Sequence, residues 1–174
     1  MKRLLLAASS LLFLNAASAD VTISYPNEKA PLFTISVAKD FWEYSPNTDP
    51  KVDDGYSVLT AGDTVIFFRA VKATKDGLPD AIKDTVSYVK KEYPGVKIPE
   101  AAEAKVNGYE ARTSSAKGKD KDGDSCDFGF AWIFVDDSHL AEIWYEASKE
   151  DVEGYQGAKK LVDSFKVAKK KEKE

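Results

Sequence analysis

Residues 126–145 constrain the fold more than any other stretch. They read Cys-Asp-Phe-Gly-Phe-Ala-Trp-Ile-Phe-Val, break at Asp136-Asp137-Ser138, and return as His-Leu-Ala-Glu-Ile-Trp-Tyr. Two runs rich in β-branched and aromatic residues around a short polar turn predict a β-hairpin. Cys126, Phe128, Phe130, Trp132 and Phe134 fall on one face of the first strand, and Gly129, Ala131, Ile133 and Val135 on the other. Both faces are apolar, so this strand is expected in the middle of a sheet covered on both sides. A turn at Asp137 sets Glu142 opposite Trp132, with Leu140 and Trp144 two residues away on the same face.

The first nineteen residues read as an export signal and not as part of the fold. Lys2 and Arg3 form a basic start, Leu4 to Leu14 an apolar run, and Ala17-Ser18-Ala19 a small-residue cleavage motif. The run is short of the ~20 apolar residues that a membrane span needs. Residues 20–168 are expected to form a single domain and residues 169–174 a charged tail. The 25 basic side chains include Lys2 and Arg3 and face 29 acidic ones, so the processed chain carries a net charge of −6. An acidic chain without a basic stripe argues against nucleic acid as a partner.

Along the chain, Val21–Ser24 and Phe33–Val37 alternate as strands, and residues 45–55, with Pro46 and Pro50, read as a loop. Tyr56–Thr60 and Thr64–Lys72 predict a second hairpin around Gly62. A helix follows from Pro79, with Ile82, Val86, Val89 and Tyr93 as its apolar stripe. Residues 96–107 have no clear signature, Asn107-Gly108 is a turn, Tyr109–Ser115 a strand, and residues 116–125 a charged loop. A last helix starts at Ser148–Asp151, a capping-box pattern, with Val152, Tyr155, Leu161, Val162 and Phe165 on one side. Strands, helix, strands, helix in that order predict an α+β fold: a mostly antiparallel sheet sandwiched by helices.

Phe33, Ile35, Val37 and Trp42, then Val106-Asn-Gly-Tyr-Glu-Ala-Arg112, then Ala158-Lys-Lys-Leu-Val-Asp-Ser-Phe-Lys166 resemble, in that order, packing motifs of the PsbP/Mog-type (PsbP-like, DcrB-like) α/β/α sandwich family. Ala38 stands where that family often has proline. The resemblance implies a roughly seven-stranded antiparallel sheet between helices, and no catalytic site. It carries no partner-binding residue across, because relatives on this fold do different things.

The chemistry available is limited. His139 is the single histidine and Cys126 the single cysteine. The hairpin geometry puts them roughly 30 Å apart, at about 3.3 Å per residue, with His139 facing Val135, so no dyad is expected. Cys126 is expected to be a shielded thiol and His139 a solvated turn residue. Asp120, Asp122 and Asp124 alternate like a calcium loop and Asp127 follows, yet three interleaved lysines offset them and the position of the bidentate glutamate holds Ala131. They are weak metal candidates, and a solvated loop is favoured. Neither a cofactor nor enzymatic activity is expected. The site residues singled out are Trp132, Glu142, Trp144 and Arg112: a buried carboxylate among aromatics needs a cation, and Arg112, or failing that Arg69, is expected to reach it. The favoured function is an exported, non-enzymatic binding or accessory protein of the cell envelope with a protein partner. The alternative is a small-ligand or metal-ion carrier using the aromatic sheet face or the Asp120–Asp127 loop.

Overall fold

The computed structural model describes residues 20–47, 55–120 and 122–168. The leader, the charged tail and part of the 45–55 loop lie outside the described residues. The predicted hairpin forms the centre: β8 (Ser125–Asp136) pairs antiparallel with β9 (His139–Ser148), with Trp132 opposite Glu142 and Phe130 opposite Trp144. A bulge between Phe134 and Asp136 shifts the register at the turn. His139 therefore pairs with Asp136 and not Val135, and its Nδ1 lies 2.9 Å from the Asp136 carboxylate. It is half-buried rather than solvated, a correction produced by that one extra residue.

Around this hairpin stand β3 (Glu43–Ser45), β4 (Ser57–Ala61), β5 (Thr64–Lys72), β6 (Ala102–Val106) and β7 (Tyr109–Lys119). They give one seven-stranded antiparallel sheet in the order β3-β4-β5-β9-β8-β7-β6. A second sheet, β1-β2-β10, joins β1 (Asp20–Tyr25), β2 (Phe33–Ala38) and β10 (Lys166–Val167). Among the described residues the two α-helices are α1 (Leu78–Glu92) and α2 (Val152–Asp163).

Each face of the large sheet has its own core. One is aromatic: Cys126, Phe128, Phe130, Trp132, Leu140 and Trp144 pack beneath α1 and the 96–101 segment. The other holds Ile66, Phe68, Ile133, Ile143 and Tyr145 beneath α2 and the small sheet, with Phe33, Ile35, Leu59 and Phe165 closing it. Both layers follow from the doubly apolar central strands.

Several boundaries move. The strand read as ending at Ser115 runs on to Lys119, taking four residues from the charged loop. Segments β3, β6 and β10 are strands that composition did not mark. Helix α2 is capped by Asp151 alone, whose carboxylate accepts the Gly154 N–H at 2.9 Å; Ser148 is the last residue of β9. Its buried side is Gly154, Ala158 and Leu161, while Val152 is 66% exposed, and Phe165 packs from just beyond the helix. In α1 the buried positions are Leu78, Thr85 and Val89, so the apolar stripe predicted from Ile82 and Val86 flanks a polar residue.

Candidate functional site: the Glu142 cluster

Glu142 is the one charged side chain that is buried among the described residues, at 1% exposure. Strand alternation points it to the α1 side, between Leu140 and Trp144, where an unpaired charge would cost several kcal/mol, on the order of the effective desolvation penalty per ion. Its needs are met from three elements. Arg69 is its direct cross-strand neighbour on β5 and sends Nε and Nη2 to Oε2, each at 3.0 Å. Thr85 of α1 donates to Oε1 at 2.6 Å, and the Tyr56 hydroxyl, just ahead of β4, donates to the same oxygen. Trp132 Nε1 in turn donates to Thr85 Oγ1 at 3.2 Å.

The cluster is electrostatically closed. The Arg69 guanidinium also sits 4.4 Å over the Tyr56 ring, a favourable cation–π placement. Burial, then the negative charge of Glu142, pushes the Tyr56 hydroxyl well above the usual phenol range, so it remains a donor. The aromatic surround is continuous: Trp144 stacks on Phe67 at 4.0 Å, and Phe130 on Trp132 at 5.9 Å. Trp144 Nε1 is the one buried side-chain nitrogen or oxygen without a hydrogen-bond partner among the described residues.

Of the residues singled out in the sequence, Trp132, Glu142 and Trp144 come together here; Arg112 does not. It stands opposite Trp132 on β7, so β8 separates it from Glu142, and it bonds Glu103 of the neighbouring β6 at 2.8 Å instead. The partner of Glu142 is Arg69, the second choice of the sequence reading. Tyr56 and Thr85 were missed altogether. Trp132 and Trp144 are 0% and 1% exposed, so the aromatic face is roofed by α1 and is not an open surface.

The acidic loop is organised around its own backbone. Asp120 Oδ1 accepts the N–H groups of Asp122 and Asp124 at 2.9 and 2.8 Å, while Asp122 and Asp124 are exposed. Ligand atoms of Asp120, Cys126 and Glu146, rather than of the three aspartates, lie within 4.8 Å of one another, and the Tyr93 hydroxyl donates to Glu146. Asp127 faces Lys117 at 3.9 Å. Cys126 is 4% exposed. Burial, then the carboxylates of Glu146 and Asp120, push its thiol up to about 12, so almost no thiolate forms at neutral pH. A thiol reagent should therefore label the folded protein far more slowly than the urea-unfolded chain. Equal rates, or a disulfide-linked dimer on a non-reducing gel, would count against this shielding.

No protein-family model and no curated protein matches the chain. Solved structures do. LpqN of Mycobacterium tuberculosis, described as involved in cell envelope biogenesis, aligns with a TM-score of 0.57 at 15% identity, covering 87% of this chain and 91% of LpqN. Cyanobacterial PsbP (CyanoP) from Synechocystis sp. PCC 6803 aligns at 0.56 and 11% identity, over 92% and 99%. A Bacteroides thetaiotaomicron VPI-5482 protein aligns at 0.55 and 13% identity over 82% of this chain, which spans 47% of that protein's length. Among the described residues no helix is long and apolar enough to cross a membrane. At such identities the likeness is one of architecture, and the architecture is PsbP-like.

Proposed function

We propose that this chain is an exported, non-enzymatic accessory protein of the cell envelope that acts through protein–protein contacts. The observation that supports this most is the state of the Glu142 cluster. Its carboxylate accepts from Tyr56, Thr85 and Arg69 and lies beneath α1, so its polar groups are spent on holding α1 to the sheet rather than on a substrate. The leader-like residues 1–19 and the shared fold of LpqN, described as acting in envelope biogenesis, point the same way.

Two measurements test the reading. Intact mass of the protein recovered from the envelope or medium should correspond to a chain beginning at Asp20; retention of Met1 to Ala19 would contradict export. Crosslinking in the producing cells, followed by affinity capture, should give one stoichiometric protein partner. Recovery of a small molecule with no protein would favour the carrier alternative.

A further inference from the structure

The turn after β2 carries Asp40, Phe41 and Trp42 in succession, and α2 carries Gly157 facing them. Glycine inside a helix is unfavourable relative to alanine, yet here it has a use. A Cβ at position 157 would lie 2.9 Å from Trp42 Cζ2, so the indole rests directly on bare helix backbone. Phe41 meets that indole edge to face, with centroids 5.3 Å apart. The two rings wall a cavity of about 560 Å³ between β2 and α2, a size in the range of small-molecule sites. The space exists because β10 covers β2 only at Phe33 and Thr34. Beyond that point Ser164 Oγ takes the Ser36 N–H at 2.8 Å, and the edge beside Val37 and Ala38 lines the cavity.

The charged groups lining it are Asp20, Asp40 and Glu153 against Lys160 alone. We infer that this cavity binds a small organic cation, an amine or quaternary ammonium held against Phe41 and Trp42 and neutralised by the carboxylates. The two features select together. An anion would meet three carboxylates, an uncharged hydrophobe would leave them unused, and a bare metal ion has no need of two aromatic walls. Ring faces attract an organic cation through their quadrupole, and the carboxylates add charge complementarity. This ligand site is independent of the accessory role proposed above and lies on the opposite side of the sheet from the Glu142 cluster.

The test uses choline and putrescine as probes and the indole N–H signals as readout. The chain has three tryptophans, and Trp132 and Trp144 are sealed in the core, so they report on whether the fold is intact. Titration should move the Trp42 signal and leave the other two in place. The double variant Asp40→Asn/Glu153→Gln should weaken the apparent affinity about tenfold, as loss of two nearby charges predicts. Those two positions are chosen because a free amino terminus at Asp20 would offset that residue's own carboxylate. Gly157→Ala, which displaces the indole, should weaken binding as well. The inference is overturned if neither probe moves the Trp42 signal at about 20 mM, a concentration that would reveal even millimolar binding. It is equally overturned if the double variant, with Trp132 and Trp144 unchanged, binds as the parent does.

Discussion

Replacing Glu142 by alanine should cost about 3–5 kcal/mol of stability, the loss seen when one partner of a buried ion pair is removed. The Arg69 guanidinium would lose the Glu142 carboxylate, the Tyr56 hydroxyl would lose the oxygen it donates to, and Thr85 would keep only the Ala81 carbonyl within reach. For a chain of this size that corresponds to a fall in Tm of roughly 10 °C or more. A second substitution separates charge from packing. Arg69→Met combined with Glu142→Leu should recover most of the loss, because an apolar pair of similar volume often matches a buried ion pair. Urea unfolding of the two single variants and the double closes the cycle. A loss below about 1 kcal/mol for Glu142→Ala would mean that the cluster does not hold α1 in place. Glu142→Gln should lower stability and leave capture of a partner unchanged, since the group is roofed by α1.

The second large effect is expected at Gly129, in the middle of β8. General rules make a glycine in a strand a weak point, so a side chain there would ordinarily stabilise. The opposite is expected here. Tyr145, opposite Gly129 on β9, lays its ring across the bare backbone. A Cβ at 129 would fall 2.3 Å from ring carbons Cε1 and Cζ and 2.5 Å from the hydroxyl oxygen. Gly129→Ala should therefore destabilise by about 1–3 kcal/mol, as overpacking of a tight core does, and Gly129→Val by more. Removing the ring as well, in Gly129→Ala/Tyr145→Ala, should abolish the penalty specific to position 129. The sign of the Gly129→Ala change in urea unfolding decides the matter, since a neutral or stabilising result would show that the ring moves aside freely.

The central hairpin, its register away from the bulged turn and the burial of Glu142 were legible because alternation and a short turn fix which side chains oppose one another. The choice between Arg69 and Arg112 was not. It depends on the spatial order β5-β9-β8-β7, which places β5 beside β9 and leaves β7 one strand too far. Thr85 was invisible for a different reason: a stripe counted from apolar residues passes over a threonine whose hydroxyl meets a carboxylate and an indole N–H on distant strands. Strands β3, β6 and β10 are short segments at sheet edges, formed because a neighbour offers backbone partners, and strand composition weakly marks such pieces. Val152 lies on the exposed side of α2 because it stands nine residues from the buried Leu161, which at 3.6 residues per turn is the opposite side of the helix.

The small sheet has a consequence for how the chain becomes a domain. Its middle strand, β2, is flanked by the earliest described strand on one edge and the last on the other, with Lys166 and Val167 paired to Thr34 and Phe33. Phe165 packs its ring on Phe33 at 5.2 Å, and Ala168 bonds back to Leu32. Contacts closing over so long a stretch of chain bear a large loop-closure cost before they reward it, so they form late and slowly. A polypeptide emerging from its amino end cannot pair this edge of β2 until Phe165 to Ala168 are free. The same clasp that finishes the fold thus keeps an incomplete chain open, the condition in which a polypeptide can still be threaded through a pore.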